Sequence, residues 1–229
     1  MSQDMVRRDV EEFGKDHGLI HEVVVTGRKV GAEQAFYAAL AHDEALFRRV
    51  VEMVEQDPLQ AALQALLAAA AQGVTCENGV YRFFDPGTPL IILRSVPVVR
   101  EKKLVYPQDW YDGYDWAKRT DAPQERFLRI PVTDSFNLSF TDQEKLLTED
   151  EEVPSTRSVA TFLVVNALAT GKRLLPDRYV RTADKVSDGR RVVVGDFGAV
   201  GFSVDDYWGD RCDPRIGLAA SRKSRTSKS

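Results

Sequence analysis

Hydrophobic residues in the first third of the chain recur at the three- and four-residue spacing of amphipathic helices. One such pattern covers residues 2–16, and a second covers residues 32–56, where the polar pair that begins at His42 favours a break between two shorter helices. A typical helix N-cap followed by proline stands at Asp57, and Gly73 is a typical C-terminal stop. We therefore expect two or three packed helices here, after a short N-terminal one.

The middle of the chain is richer in β-branched and aromatic residues, which favour strands. Residues 79–84 and 89–99 have the pattern of two strands joined by a turn, although a proline in the second favours an early end or an edge position. Residues 127–132 and 135–140 alternate well enough to be strands or extended connections. Residues 106–125 show no period and are expected to form a loop or a short irregular helix.

The last quarter of the chain alternates strand-like runs with turn residues more clearly than any other region. Before these runs, a helix is expected over residues 156–170, capped by Ser155 or Thr156 and ended by Gly171. Because this helix is apolar nearly all round, it must be covered on most sides. The strands that follow are expected at 178–182, 190–197, 200–204 and 216–219. The predicted fold class is α+β, with N-terminal helices, short antiparallel strands, and a buried C-terminal helix packed on a four-strand antiparallel meander.

An acidic connector at residues 141–152 is the best candidate for a boundary in the chain. It separates an N-terminal α+β region, residues 1–150, from a helix-plus-meander module, residues 151–220. Such a short module is marginal for independent stability, so we expect it to pack on the N-terminal region. Residues 221–229 contain no apolar residue and are expected to form a disordered basic tail.

The composition is that of a soluble globular protein, with 43% hydrophobic and 29% charged residues in a chain of 229. The longest apolar run, residues 159–169, is shorter than the roughly 20 residues that span a bilayer. The first residues also lack the apolar core of a secretory signal. We therefore expect a cytoplasmic protein without a membrane partner. Cys76 and Cys212 have neither metal-ligand spacing nor the spacing of a disulfide framework.

Charge is distributed unevenly along the chain, which has a net charge of −4. Residues 151–229 carry four more basic than acidic residues, whereas residues 1–150 carry eight more acidic than basic residues. The difference indicates either simple solvation of each half or a contact between the basic half and an anionic partner such as nucleic acid. The C-terminal cations that would lie along phosphates are Arg222, Lys223, Arg225 and Lys228.

Two segments, residues 109–116 and 205–213, combine aspartates with large aromatic residues. In one interpretation the aromatic rings anchor each segment to the core, while the aspartates face water and stabilise turns. In the other, the rings form an exposed surface for a ligand or a partner. The candidate binding-surface residues are Trp110, Tyr111, Tyr114, Trp116, Tyr207 and Trp208.

The aspartates of these segments also permit a metal-dependent hydrolase, because converging carboxylates can hold a divalent cation. This hypothesis requires at least three of them within about 5 Å of one point. The candidate metal ligands are Asp109, Asp112, Asp115, Asp205, Asp206 and Asp210. The three histidines are not placed to complete a zinc site. No cofactor is expected, since the chain lacks the glycine-rich motifs that cradle nucleotides.

The C-terminal residues also carry a resemblance. It consists of five short segments in the last quarter of the chain. These are a Tyr-Val-Arg-Thr strand ending at Thr182, a Ser-Asp-Gly turn ending at Gly189, a Val-Val-Val-Gly strand, an Asp-Tyr-Trp element ending at Trp208 and a final Gly-Leu-Ala-Ala-Ser-Arg-Lys run ending at Lys223. Together these residues resemble the closing module of uncharacterised proteins from candidate-phylum bacteria with small genomes. The resemblance covers about 50 of the 229 residues. It implies a recurring module and assigns no residue roles.

The sequence alone favours a non-enzymatic cytoplasmic binding or interaction protein, because every polar cluster has a structural explanation and no nucleophile–base pair is visible. Its partner is unknown, and a protein is one candidate. The contact surface would be the meander edge or the aromatic segment at residues 106–116. A metal-dependent hydrolase and a nucleic-acid-associated protein are the two alternatives.

Overall fold

The computed structural model of this protein describes residues 28–29, 31–55 and 57–223. The chain forms two compact units, Met1–Gln56 and Asp57–Ser229. Its helices and largely antiparallel sheets confirm the predicted α+β class. The helix expected over residues 2–16 lies outside the described residues.

In the first unit, the structure describes α1 (Gln34–His42) and α2 (Glu44–Glu55). The break predicted near His42 is confirmed, since Asp43 between them has an extended backbone. The Asp43 carboxylate accepts a hydrogen bond from the backbone N–H of Leu46 at 2.9 Å. Such a bond satisfies one of the free N–H groups at the start of a helix, which explains why α2 begins here.

The second unit begins with α3 (Pro58–Gln72), and both predicted end signals of this helix are confirmed. The Asp57 carboxylate accepts from the backbone N–H of Leu59 at 2.9 Å. Gly73 ends the helix with a φ of 82°, a left-handed conformation that glycine adopts without steric cost.

The first sheet of this unit is antiparallel throughout and has the strand order β1-β2-β3-β9-β4. Its strands are β1 (Thr75–Glu77), β2 (Val80–Asp85), β3 (Gln124–Arg129), β4 (Glu151–Glu152) and β9 (Ala220–Arg222). Strand β9, close to the C-terminal end of the described residues, therefore lies inside the sheet, between β3 and β4.

The second sheet has the order β7-β6-β5-β8. Its strands are β5 (Tyr179–Lys185), β6 (Arg191–Gly198), β7 (Gly201–Tyr207) and β8 (Ile216–Leu218), which confirms the predicted positions. Strands β5, β6 and β7 form an antiparallel meander, but β8 runs parallel to β5. The prediction of a fourth antiparallel strand is therefore wrong. The chain crosses from β7 to the far edge of the sheet instead of turning back, and so it enters β8 in the direction of β5.

The chain passes directly from the second sheet to the first at Ala219, between β8 and β9. Ser221 pairs with Leu128 and Glu152, and Arg222 pairs with Glu151. The prediction that the disordered tail begins at residue 221 is therefore wrong. The backbone groups of β9 are satisfied by two neighbouring strands, which holds this segment although its side chains are mostly polar.

One long helix, α8 (Thr156–Thr170), is common to the core of the whole second unit. The hydroxyl of Ser155 caps it by accepting from the backbone N–H of Ser158, and its residues from Thr156 to Ala167 are all buried. The hydrophobic cluster around it includes residues from both sides of position 150. The chain divides between Gln56 and Asp57 rather than at the acidic connector, because α8 supplies core contacts to both sheets.

A buried group of charges ties α8 to the first sheet. The guanidinium of Arg157 donates to both oxygens of Asp85 at 2.9 and 2.8 Å, and both side chains are completely buried. Arg126 donates to Asp85 at 2.7 Å and to Asp121 at 2.9 Å, and Arg157 also pairs with Asp121. The fully buried Arg157 and Asp85 are thus balanced together with the partly exposed Arg126 and Asp121, as buried charges require.

Residues 89–99 are not the predicted strand but contain α4 (Leu90–Leu93), followed by α5 (Pro97–Glu101). Prolines stand at the N-cap of α4 and at the first position of α5, where their missing N–H costs nothing. The predicted extended segment at residues 135–140 is also absent. The remaining short helices are α6 (Asp115–Lys118) and α7 (Phe140–Glu144).

Candidate functional site

Four aromatic residues of the segment 109–116 pack together. The ring of Trp110 lies edge-on to those of Tyr111, Tyr114 and Trp116, with centroid distances of 5.4, 6.0 and 6.1 Å. Tyr111 and Trp116 are buried, whereas Trp110 is 37% exposed and Tyr114 is half-buried. Tyr111 and Trp116 therefore anchor the segment to the core, whereas Trp110 and Tyr114 also line a cleft.

The chain just before these aromatic residues lies along the outer edge of β7. The backbone N–H of Tyr106 donates to the carbonyl of Phe202 at 2.8 Å, and the indole N–H of Trp110 donates to the carbonyl of Val204 at 3.1 Å. Gly201 permits this close approach, because a Cβ there would lie 2.4 Å from the carbonyl carbon of Val105. Part of the meander edge is thus covered by residues 104–110.

Trp110 and Tyr114 form one wall of a cleft of about 390 Å³, which we call the acidic cleft. The opposite wall comes from the turn between β5 and β6 and from the end of β7. The residues that give the acidic cleft its chemistry are Trp110, Tyr114, Asp188, Arg190, Asp205 and Asp206. The structure therefore brings together parts of the two aromatic–aspartate segments that the sequence shows far apart.

Arg190 is the single cation among the residues that line the acidic cleft. Its Nε donates to Asp188 at 2.8 Å, and its guanidinium forms an ion pair with Asp206. Burial raises the pKa of Asp206, and the charges of Asp205 and Asp188 raise it further, although Arg190 opposes them. Three carboxylates around one guanidinium leave the cleft with an excess of negative charge.

The remaining predicted aromatic residues follow at the end of β7. Trp208 is 46% exposed, and the guanidinium of Arg190 lies 5.9 Å from the centre of its ring. Tyr207 is half-buried, with the guanidinium of Arg181 5.9 Å from its ring centre. Trp208 thus extends the exposed aromatic surface beyond the acidic cleft, whereas Tyr207 contacts a buried arginine.

The aspartates that the hydrolase hypothesis requires do not converge. Asp112 is paired with Arg94 at 2.6 Å, Asp115 stands in the first turn of α6, and Asp210 is exposed beyond β7. Within the described part of the chain, no three His, Cys, Asp or Glu side chains are grouped so that they could hold a metal ion. The geometric condition of that hypothesis therefore fails for Asp109, Asp112, Asp115, Asp205, Asp206 and Asp210.

The C-terminal cations are also placed differently from the prediction. The guanidinium of Arg222 lies 4.7 Å from the ring centre of Phe127, and the Nζ of Lys223 donates to the carbonyl of Glu149 at 2.6 Å. Both side chains therefore contact the folded unit instead of extending from a free arm. Arg225 and Lys228 lie outside the described residues.

The sequence interpretation missed a second concave surface, on the other side of residues 104–110. This depression has a volume of about 650 Å³, and we call it the basic depression. Its principal lining residues are Arg94, Arg100, Lys103, Tyr106, Gln108 and Val200. The segment Arg100-Glu-Lys-Lys103, with three cations and one acid, was the available signal, but nothing local shows that Tyr106 and Val200 complete the surface.

The scan against protein-family models and the searches of curated proteins and of solved structures found no match for this chain. The resemblance to the closing module of candidate-phylum proteins therefore stays a prediction. Each helix in the described ranges is too short or too polar to cross a membrane.

Proposed function

We propose that this chain is a cytoplasmic, non-catalytic binding protein whose acidic cleft receives a basic segment of another protein. One observation carries the proposal: exposed Trp110 lies in the same cleft as three carboxylates that come from the β5–β6 turn and from β7. A side chain that is cationic at its tip and apolar along its stem matches this combination.

Arginine and lysine are the protein side chains with that chemistry. A guanidinium can stack on an indole ring and bind carboxylates at the same time. In the acidic cleft it would meet Trp110 on one wall and Asp205 and Asp206 on the other. Arg190 already occupies one side of Asp206 and lies near Trp208, so an incoming cation would repeat contacts that this arginine makes within the chain.

The excess of carboxylates supports a cationic partner more strongly than a neutral one. The raised pKa of Asp206, caused by burial and by the neighbouring carboxylates, indicates that its ionised form is under-compensated in the free protein. A bound cation would supply the missing compensation. Binding is therefore expected to strengthen as the pH rises through the pKa of Asp206.

The test uses a fluorescent oligo-arginine peptide as the probe and measures anisotropy at low ionic strength. Replacing both Asp205→Asn and Asp206→Asn should weaken binding by about tenfold, since partly exposed charge pairs contribute about 0.2–1 kcal/mol each. The matched control is the double variant Asp177→Asn with Asp210→Asn, which removes the same charge from exposed positions outside the cleft. This control should bind nearly as well as the unmodified protein.

The aromatic wall is tested separately with Trp110→Ala and Trp110→Phe. The phenylalanine variant keeps a ring but loses the hydrogen bond to Val204, so it separates stacking from positioning. We expect a clear loss of affinity with alanine and a smaller one with phenylalanine. Equal losses in the cleft variant and in the charge-matched control would show that only net charge attracts the peptide, and the proposal would be abandoned.

A further inference from the structure

We propose that the basic depression binds a nucleotide, that is, a ligand with a phosphate group and a planar aromatic ring. The depression shares no lining residue with the acidic cleft, and residues 104–110 lie between the two. Its volume of about 650 Å³ is within the range of small-molecule sites, roughly 300–1,000 Å³. The inference concerns a second site, so it does not depend on the function proposed for the acidic cleft.

Uncompensated positive charge is the first property that points to phosphate. Arg100 and Lys103 are exposed, and neither forms an ion pair with a carboxylate of the described residues. Arg94 contributes a third guanidinium but is paired with Asp112 at 2.6 Å. Asp109 is the single acidic residue in the lining, so cations are in excess.

One further cation, Arg173, lies beside the chain segment that lines the depression. The guanidinium of Arg173 donates to the carbonyl of Lys102 at 2.9 Å, which brings a residue from the end of α8 beside the basic run after α5. Arg173 also donates to the carbonyl of Gly198 and lies 5.0 Å from the ring centre of Phe197. Its position is thus fixed by carbonyls and a ring, and no carboxylate among the described residues forms an ion pair with it. Such a surface attracts anions over a range of roughly the Debye length, about 8–10 Å.

An exposed aromatic and apolar wall is the second property, and it points to the ring of the ligand. Tyr106 is 43% exposed and Val200 is 54% exposed, and both line the depression beside the cations. A nucleobase can stack on a tyrosine ring while its phosphate contacts arginine and lysine. An inorganic anion would make no use of this wall.

Local backbone geometry sets the positions from which the side chains of Arg100 and Lys103 extend. The N–H of Lys103 donates to the carbonyl of Arg100 at 3.1 Å, and that of Leu104 donates to the carbonyl of Val99 at 2.9 Å. These two bonds form the Schellman pattern that ends a helix, and they turn the chain back beside α5. Lys103 has a φ of 49°, at the position where glycine is commonest.

The probes are ADP, a short oligothymidylate and inorganic tripolyphosphate, and binding to the full chain is measured by calorimetry at low ionic strength. The double variant Arg100→Gln with Lys103→Gln should weaken binding of ADP and of the oligonucleotide by about tenfold. The charge-matched control Lys118→Gln with Arg211→Gln alters exposed cations outside the depression and should leave both affinities unchanged. Tyr106→Leu should weaken ADP binding about fivefold or more and leave tripolyphosphate unaffected.

The probes also distinguish the source of the nucleotide. If the oligonucleotide binds more tightly than ADP, and its affinity falls steeply as the salt concentration rises, the ligand is a nucleotide within a single strand. Binding of ADP at least as tight as that of the oligonucleotide identifies a free nucleotide. The proposal is overturned if neither probe binds, if the double variant binds as well as the control, or if tripolyphosphate matches ADP and Tyr106→Leu has no effect.

Discussion

Replacing Asp85 by alanine should lower the free energy of unfolding by about 3–5 kcal/mol, the usual cost of removing one partner from a buried ion pair. Asp85 accepts two hydrogen bonds from Arg157, one from Arg126 and one from the backbone N–H of Gly87. All four are lost in the variant. Arg157, which is completely buried, would then have to share Asp121 with Arg126.

A double-mutant cycle tests whether this cost arises from the pair. Arg157→Met alone should be destabilising too, because it leaves the buried Asp85 with Arg126 as its remaining cationic partner. Asp85→Ala combined with Arg157→Met keeps Arg126 and Asp121 as a balanced pair, so it should cost less than the two single variants added together. The difference is expected to be about 1–3 kcal/mol.

The ion pair between Asp85 and Arg157 also makes the free energy of unfolding depend on pH. Burial opposes the ionisation of Asp85, but the hydrogen bonds and charge of Arg157, with Gly87 and Arg126, outweigh it and lower the pKa of Asp85. A lowered folded-state pKa adds stability above the unfolded pKa of about 3.9, and this stability is lost as the pH falls through the folded pKa. Asp85→Asn should therefore lose less stability than the unmodified protein between about pH 5 and pH 2.

The assay is urea unfolding of the full chain, followed by tryptophan fluorescence. The control is Glu125→Ala, since Glu125 pairs at 2.6 Å with the half-exposed Arg82 and should contribute no more than about 1 kcal/mol. A loss below about 1 kcal/mol for Asp85→Ala, or a double variant as costly as the sum of the singles, would refute the reasoning.

Three further predictions use the same urea assay. Lys103→Gly should raise the free energy of unfolding by about 1 kcal/mol, because it removes the steric strain of a non-glycine residue with a left-handed φ of 49°. The same variant should weaken ADP binding. A fall in stability would contradict the prediction. Asp206→Asn should stabilise the protein near neutral pH and lose that advantage in acid. The reason is that a carboxyl group whose pKa in the folded protein is raised by burial lowers stability once it ionises. Destabilisation near neutral pH would count against this prediction. Gly201→Ala should cost about 1–3 kcal/mol, because its Cβ would lie 2.4 Å from the carbonyl carbon of Val105; an unchanged urea midpoint would show that residues 104–106 move without cost.

Much of the second sheet could be predicted from local pattern. The strands from Tyr179 to Tyr207 are rich in β-branched and aromatic residues, and Asp188 with Gly189 marks the turn between β5 and β6. These are short-range signals, which the chain carries in neighbouring residues. The direction of β8 and the inclusion of Ser221 in the first sheet depend on which strands become neighbours, and no local pattern encodes that choice.

The error at residues 89–99 has a different cause. This segment contains leucines, isoleucines and valines in close succession, a composition that suits a buried strand and a buried helix equally well. Leu90, Leu93 and Val99 are buried on α4 and α5. Pro97 suggests an early strand end or an edge position, although proline also favours the first turn of a helix, and tertiary packing decides between the two.

The candidate sites, like the fold, depend on long-range contacts that local sequence patterns do not reveal. Trp110 and Asp206 were recognised as candidates separately, but their meeting in one cleft depends on residues 104–110 lying along β7. That placement depends in turn on Gly201, where a side chain would collide with the backbone of Val105. Long-range contacts between residues 104–110 and β7 thus place Val105 to Asp109 in the basic depression and Trp110 in the acidic cleft. Their opposite charges come from the residues beside this segment: Arg100 and Lys103 in the depression, and Asp188, Asp205 and Asp206 in the cleft.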